Sequence, residues 1–206
     1  MAGNRMSSAG AIALASCLTG HGVKAEVLQV GPGRQFDSLH EVTGRLEPGD
    51  VVEVFGGATY GGDGVFERDG TPDRPIVVRG LRANGRRPVV SGGTNTIEAA
   101  GDHYVFEGLV LTQGSYRCFF HHAHDITLRD SVIHDCPKHG LLGADDDSGS
   151  LLLETTEVYA CGDGFRHHPI YMATDERAHP GSVFRMQHCF VHDGRGGNNV
   201  KSRATT

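Results

Sequence analysis

The C-terminal half of this 206-residue chain holds side chains whose types suit acid–base and charge chemistry: His168, Tyr171, Lys201 and Arg203, accompanied by His139, His188, His192 and Asn198. Lysine, tyrosine and histidine can move protons, while arginine stays charged and grips planar anions through a fork of donors. The chain as a whole is acidic, with 19 Lys and Arg against 25 Asp and Glu and a formal net charge of −6. Arg166, His167 and Arg195 fall in the same region, so positive potential collects locally and draws an anionic ligand. The acidic total argues against a nucleic-acid partner.

The elements that position these groups are strands. Thirty glycines against eight prolines mark turns rather than disorder, glycine standing at about twice its ordinary usage of about 7%. With no Trp, five Tyr and nine Phe, the core must come from Val, Leu, Ile and Phe, residues that favour short strands. From Glu26 onward apolar runs such as Asp50-Val51-Val52-Glu53-Val54, Pro75-Ile76-Val77-Val78 and Pro88-Val89-Val90 alternate with punctuators such as Phe55-Gly56-Gly57 and Ala83-Asn84-Gly85.

Internal repetition decides the fold. Tyr104-Val105-Phe106 with Leu109-Val110-Leu111 lies over Ile126-Thr127-Leu128 with Ser131-Val132-Ile133 at an offset of about 22 residues. Further units begin near Leu151-Leu152-Leu153 and Phe184-Arg185-Met186, so the period runs from about 22 to about 33 residues. Strand repeats with no helix to cover a sheet face must cover each other by stacking. The sequence therefore predicts an all-β chain folded as a single-stranded parallel β-helix, or solenoid, over residues 26–206, incomplete at its C-terminal end. Such an open coil would expose unpaired strand edges, which predicts self-association through it.

Within each coil the second strand aligns on the inward residues Phe119, Leu141, Ile170 and Val200. Phe120, Leu142, Tyr171 and Lys201 then form one outward column, with His122, Ala144, Ala173 and Arg203 in the next. Arg117, His139, His168 and Asn198 stand two residues before the inward position. The face thus turns from apolar to ionisable toward the C-terminal end.

Residues 1–25 read as a removable export signal, with an apolar stretch from Ala9 to Leu18 and small residues at Val23-Lys24-Ala25. Leu14-Ala15-Ser16-Cys17 also resembles a lipobox, which would make Cys17 the lipidated N-terminus. Either reading places the protein outside the cytoplasm, as a secreted, periplasmic or outer-envelope lipoprotein, and no stretch is long enough for a transmembrane helix. Cys118, Cys136, Cys161 and Cys189 lack zinc spacing; Cys136 and Cys161 fall at similar places in successive repeats, as a disulfide or as stacked free thiols.

His168-Pro169-Ile170-Tyr171, Met172 to Glu176 and the run Gly196 to Ala204, with Val30 to Gly33 near the start, resemble secreted bacterial right-handed parallel β-helix repeat proteins. Lys201-Ser202, after a glycine-rich turn, resembles the Lys-Ser motif of the β-helical alginate and chondroitin lyases of polysaccharide lyase family six. The resemblance implies β-elimination on a uronate-containing acidic polysaccharide, commonly with calcium. On that scheme Lys201 removes the C5 proton, Arg203 neutralises the carboxylate and Tyr171 protonates the leaving oxygen. His168 is a competing base or sugar-binding group, and His139, His188, His192 and Asn198 bind substrate. No metal ligand is assigned, although Asp163 and Asp193 sit in turns where calcium is conceivable. Two other readings stand beside it. One is a polygalacturonase-like glycoside hydrolase, of which Asp145-Asp146-Asp147 and Lys138-His139-Gly140 are partial echoes. The other is a noncatalytic polysaccharide-binding or surface scaffold.

Overall fold

The computed structural model describes residues 24–204; the expected export signal lies, up to residue 23, outside them. The chain opens with β1 (Val27–Val30) and α1 (His40–Thr43) and then winds through six coils of three strands. The first two coils are β2 (Val51–Phe55), β3 (Thr59–Gly61) and β4 (Gly64–Phe66), then β5 (Ile76–Leu81), β6 (Val89–Ser91) and β7 (Asn95–Ala99). The next two are β8 (Tyr104–Glu107), β9 (Val110–Thr112) and β10 (Arg117–His121), then β11 (Ile126–Arg129), β12 (Val132–His134) and β13 (His139–Gly143). The last two are β14 (Leu151–Glu154), β15 (Glu157–Tyr159) and β16 (Ile170–Ala173), then β17 (Phe184–Gln187), β18 (Phe190–His192) and β19 (Val200–Arg203).

Every strand pairs in parallel with its equivalent one coil along, giving three sheets. Sheet A runs β1-β2-β5-β8-β11-β14-β17, sheet B β3-β6-β9-β12-β15-β18 and sheet C β4-β7-β10-β13-β16-β19. This is the parallel β-helix that the repeats predict. Tyr104 pairs with Ile126, as the aligned repeats require, and Leu151 pairs with Phe184.

The core is three inward ladders. Val52, Val78, Phe106, Leu128 and Leu153 stack from sheet A, Val90, Leu111, Ile133 and Val158 from sheet B, and Ile97, Phe119, Leu141 and Ile170 from sheet C, all buried. Each such side chain contributes roughly 1.5–3 kcal/mol by leaving water. At one end α1 packs against β4, the outermost strand of sheet C, and Leu39, Val42 and Leu46 are buried there.

The corners follow a rule that the sequence alone hides. In the last four coils the residue after the sheet-A strand adopts a left-handed conformation, at Gly108, Asp130, Thr155 and His188. In the same four coils the residue after the sheet-B strand does likewise, at Gln113, Asp135, Ala160 and Asp193. A single left-handed residue turns the chain sharply between strands, and Gly and Asp tolerate it best. His188 is therefore a corner residue between sheets A and B.

The cysteines pair differently from the expected stacking partners. Cys118, buried on β10, is joined to Cys136, buried after β12, within neighbouring coils. Cys161 is a free buried thiol. The repeat position that aligns Cys136 with Cys161 faces inward, where Cys118 also points, and the sequence alignment compares only equivalent strands. No helix among the described residues is long and apolar enough to cross a membrane.

Candidate functional site

Sheet C carries the site. Phe120 pairs with Leu142, Leu142 with Tyr171 and Tyr171 with Lys201, while Ala173 pairs with Arg203 one step further along the strands. Parallel pairing puts these residues directly above one another, about 4.8 Å apart per coil. Lys201 Nζ lies 4.9 Å from the centroid of the Tyr171 ring and the Arg203 guanidinium carbon 5.5 Å from it. Two cations therefore share one aromatic face. Arg203 also forms an ion pair with Asp145, both side chains being about half exposed, so the pair is cheap to break.

A groove of about 440 Å³ runs along this face, lined by Tyr116, His139, Asp145, Arg166, His167, Tyr171 and Arg203 among others. Its flank is the loop from Gly162 to His168. Backbone hydrogen bonds in both directions between Asp163 and His167 close that loop, at 3.4 Å and 3.3 Å, and Gly164 bridges to Gly196 in the next coil. The closure thrusts Phe165 and Arg166 outward, with Phe165 80% exposed.

Beneath the groove, turn amides reach imidazoles of the preceding coil. The His168 N–H donates to His139 Nδ1 at 3.3 Å, and the Asn198 N–H donates to His168 Nδ1 at 2.9 Å. Each neutral imidazole must then carry its proton on Nε2. Gly197 makes the second contact possible, since a Cβ there would fall 2.1 Å from His168 Nδ1, and its φ of +65 suits glycine. Burial, reinforced by the charges of His167 and His168, pushes His139 down to about 4. His139 is thus a neutral donor at neutral pH. Burial and the nearby Lys201 charge also lower His168.

The predicted site residues divide by place. Tyr171, Arg203 and His139 line the groove, and Lys201 stands over the Tyr171 ring. His168 is 3% exposed, its ring 5.6 Å from that of Tyr171. Asn198 contributes its backbone N–H to His168, while its side chain is exposed. His188 and His192 are not brought to this face. His192 lies on sheet B, stacked 5.2 Å from Tyr159 and held between Asp193 and Glu157, which raise its pKa. Sequence reasoning passed over Tyr116, placed Arg117 only in a column with His139, and took Lys138 only as part of the hydrolase reading. Tyr116 stands just outside a strand, where column alignment gives no direction.

The donor set does not fit calcium, which takes six to eight oxygen ligands. Asp145 is engaged by Arg203, the Asp163 carboxylate lies 3.9 Å from His167, and Asp193 holds His192. Among the described residues no group of three or more His, Cys, Asp or Glu is placed to hold a metal ion.

Comparison with solved structures shows the same fold in an alginate lyase from Paenibacillus sp. str. FPU-7, with a TM-score of 0.68 and 19% identity over 85% of this chain and 61% of that one. A pectate lyase, Pel9A, matches with a TM-score of 0.62 and 17% identity over 82% of this chain and 48% of that one. The chain thus spans about three fifths and about half of these two structures. No family model matches the sequence, and no curated protein matches it. At these identities the likeness establishes the right-handed parallel β-helix.

Proposed function

We propose that this protein is a carbohydrate-active β-helix that cleaves a uronate-containing polysaccharide by β-elimination on sheet C. The observation that carries the reading is the stacking of Lys201 on Tyr171, with Arg203 over the same ring. The names of the two lyases of like fold, which act on alginate and pectate, support an acidic polymer.

In this scheme the substrate carboxylate displaces Asp145 from Arg203, whose charge stabilises the negative charge that develops as the C5 proton leaves. Lys201 acts as the base only after giving up its ammonium proton, and with it the cation–π contact to Tyr171, and the free amine then accepts the C5 proton. The C5 electron pair forms the C4=C5 double bond as the C4–O bond breaks, and Tyr171 gives its phenolic proton to the departing oxygen. His139 offers its Nε2–H as a neutral donor in the groove wall. His168 acts as a positioning residue beneath Tyr171. A polymer of this kind agrees with the export signal expected over residues 1–25 and with an oxidising compartment in which the Cys118–Cys136 disulfide persists.

Hydrolysis would need two carboxylates flanking the glycosidic bond. Among the described groove-lining residues Asp145 is the one carboxylate, and it is paired with Arg203. A noncatalytic binding module remains the rival outcome of the test. The protein is incubated with alginate, polygalacturonate and chondroitin while absorbance of unsaturated uronate is followed, alongside Lys201→Ala. A rise with the native protein and a loss of at least 100-fold in the variant, with unchanged circular dichroism, is expected. An equal rise in the variant would remove Lys201 from the reaction, and no rise on any polymer would leave a binding module.

A further inference from the structure

A second cation–aromatic cluster, which the elimination scheme does not use, is built around Tyr116 at the groove's edge. On the N-terminal side, the Arg117 guanidinium carbon lies 4.2 Å from the Tyr116 ring centroid and Lys138 Nζ 4.7 Å from it. Arg117 also covers Phe120 at 3.8 Å, and donates through one terminal nitrogen to the neutral amide oxygen of Asn95 at 3.0 Å. Neither Arg117 nor Lys138 forms an ion pair among the described residues, whereas Arg203 does. Glu98, whose charge acts on Arg117, is itself held by Asn95 and His122 and makes no ion pair with it, so two neighbouring cations, one partly buried, make a place where an external carboxylate gains two charge-assisted contacts.

Its spacing from the first cluster is set by the coils. Tyr116 immediately precedes β10 and Tyr171 lies on β16, two coils further on, a separation along the solenoid of roughly 10 Å. The His139 ring stands between them, 6.1 Å from each tyrosine ring. A 1→4-linked hexuronate advances by about one strand spacing per sugar, and in an extended two-fold ribbon every second carboxylate faces the same way. Lys138, just before β13, stands two coils from Lys201 and Arg203 on β19, which matches the carboxylates of alternate sugars, and Arg117 on β10 stands one coil further out.

We propose that Tyr116, Arg117 and Lys138 form a second carboxylate-binding subsite, two coils before the reacting one, so that the groove reads alternate acidic groups of an extended polymer lying along the solenoid axis. The proposal rests on the groove being the polymer site. It makes chain length and charge pattern the determinants of affinity. A disaccharide reaches one cluster; a hexamer spans both.

The test uses the full chain carrying Lys201→Ala, to prevent turnover, and calorimetric titration with mannuronate and galacturonate hexamers, their disaccharides and their methyl esters. At least one hexamer is expected to bind 10-fold or more tightly than its disaccharide and its ester. Adding Lys138→Glu, a substitution at a partly exposed side chain, should weaken hexamer binding by at least 10-fold and leave the disaccharide unchanged. Equal weakening of both ligands, no weakening, or no binding by either hexamer would overturn the subsite. Activity separates the two ideas. A native protein that makes no unsaturated product yet binds hexamers in a Lys138-dependent way retains the subsite and loses the elimination. One that makes product with an unchanged KM for hexamers in Lys138→Glu, Lys201 being intact, does the reverse.

Discussion

The main-chain N–H of His168 donates to Nδ1 of His139 in the coil before it, at 3.3 Å, so one turn of the solenoid dictates the tautomer of a histidine in another. The backbone of a stacked coil is rigid relative to its neighbour, and the imidazole cannot rotate to reverse its roles. The neutral His139 ring consequently carries its proton on Nε2.

The same burial makes acid the natural denaturant. His139 and the fully buried His121 titrate near 4 when folded but at their ordinary 6.5 when unfolded. Below about 6.5 the unfolded chain binds more protons, so stability is full above that pH and falls as pH drops toward 4. Unfolding free energies from urea titrations at pH 7.5 and pH 5 should differ in that direction by an amount on the order of a few kcal/mol, with midpoints shifted to match, largely removed in a His121→Asn, His139→Gln double variant that folds. Equal midpoints for the native protein would mean that neither imidazole is held neutral by the fold.

Asp145 tempers the charge of the groove by holding Arg203. Asp145→Asn should leave the melting temperature almost unchanged, because exposed ion pairs are worth about 0–1 kcal/mol. Affinity for acidic oligosaccharides should rise several-fold at low ionic strength and converge on the native value as salt screens the groove. A variant that binds more weakly would show that Asp145 orients Arg203 instead of competing for it.

The Cys118–Cys136 bridge closes a sequence separation of 18 residues. Reduction, or Cys118→Ala with Cys136→Ala, should cost about 3 kcal/mol in denaturant unfolding. Mass spectrometry after alkylation of the unfolded, unreduced protein should leave these two cysteines unlabelled while labelling Cys161 and Cys189. Labelling of Cys136 would contradict the pairing.

Gly197→Ala places a methyl group against the His168 ring and strains a left-handed backbone position. A loss of about 2 kcal/mol in stability is expected. If His168 positions Tyr171, kcat should fall more than KM rises, and the small change Gly44→Ala, at a site with nothing within 4 Å, should do neither. Equal behaviour of the two variants would show that the His168 contact has no bearing on the site.

Local pattern was enough for the solenoid. Apolar alternation and recurrence, as of Tyr104 with Ile126 or Val132 with Phe190 two coils on, are properties of neighbouring residues and of offsets, and parallel stacking is the one way such strands cover each other. The same register placed Tyr171 under Lys201, because a period-two element tells inward from outward without reference to anything distant. Residues at corners and loops escaped that logic. His188 and His192 share a residue type and neighbourhood with His168, yet a left-handed corner and a change of sheet carry them off the groove. Tyr116, the pairing of Cys118 with Cys136, and the amide that locks His139 all depend on how consecutive coils pack across a turn. Those contacts join residues whose separation is set by loop length and backbone direction, quantities that only the folded chain fixes.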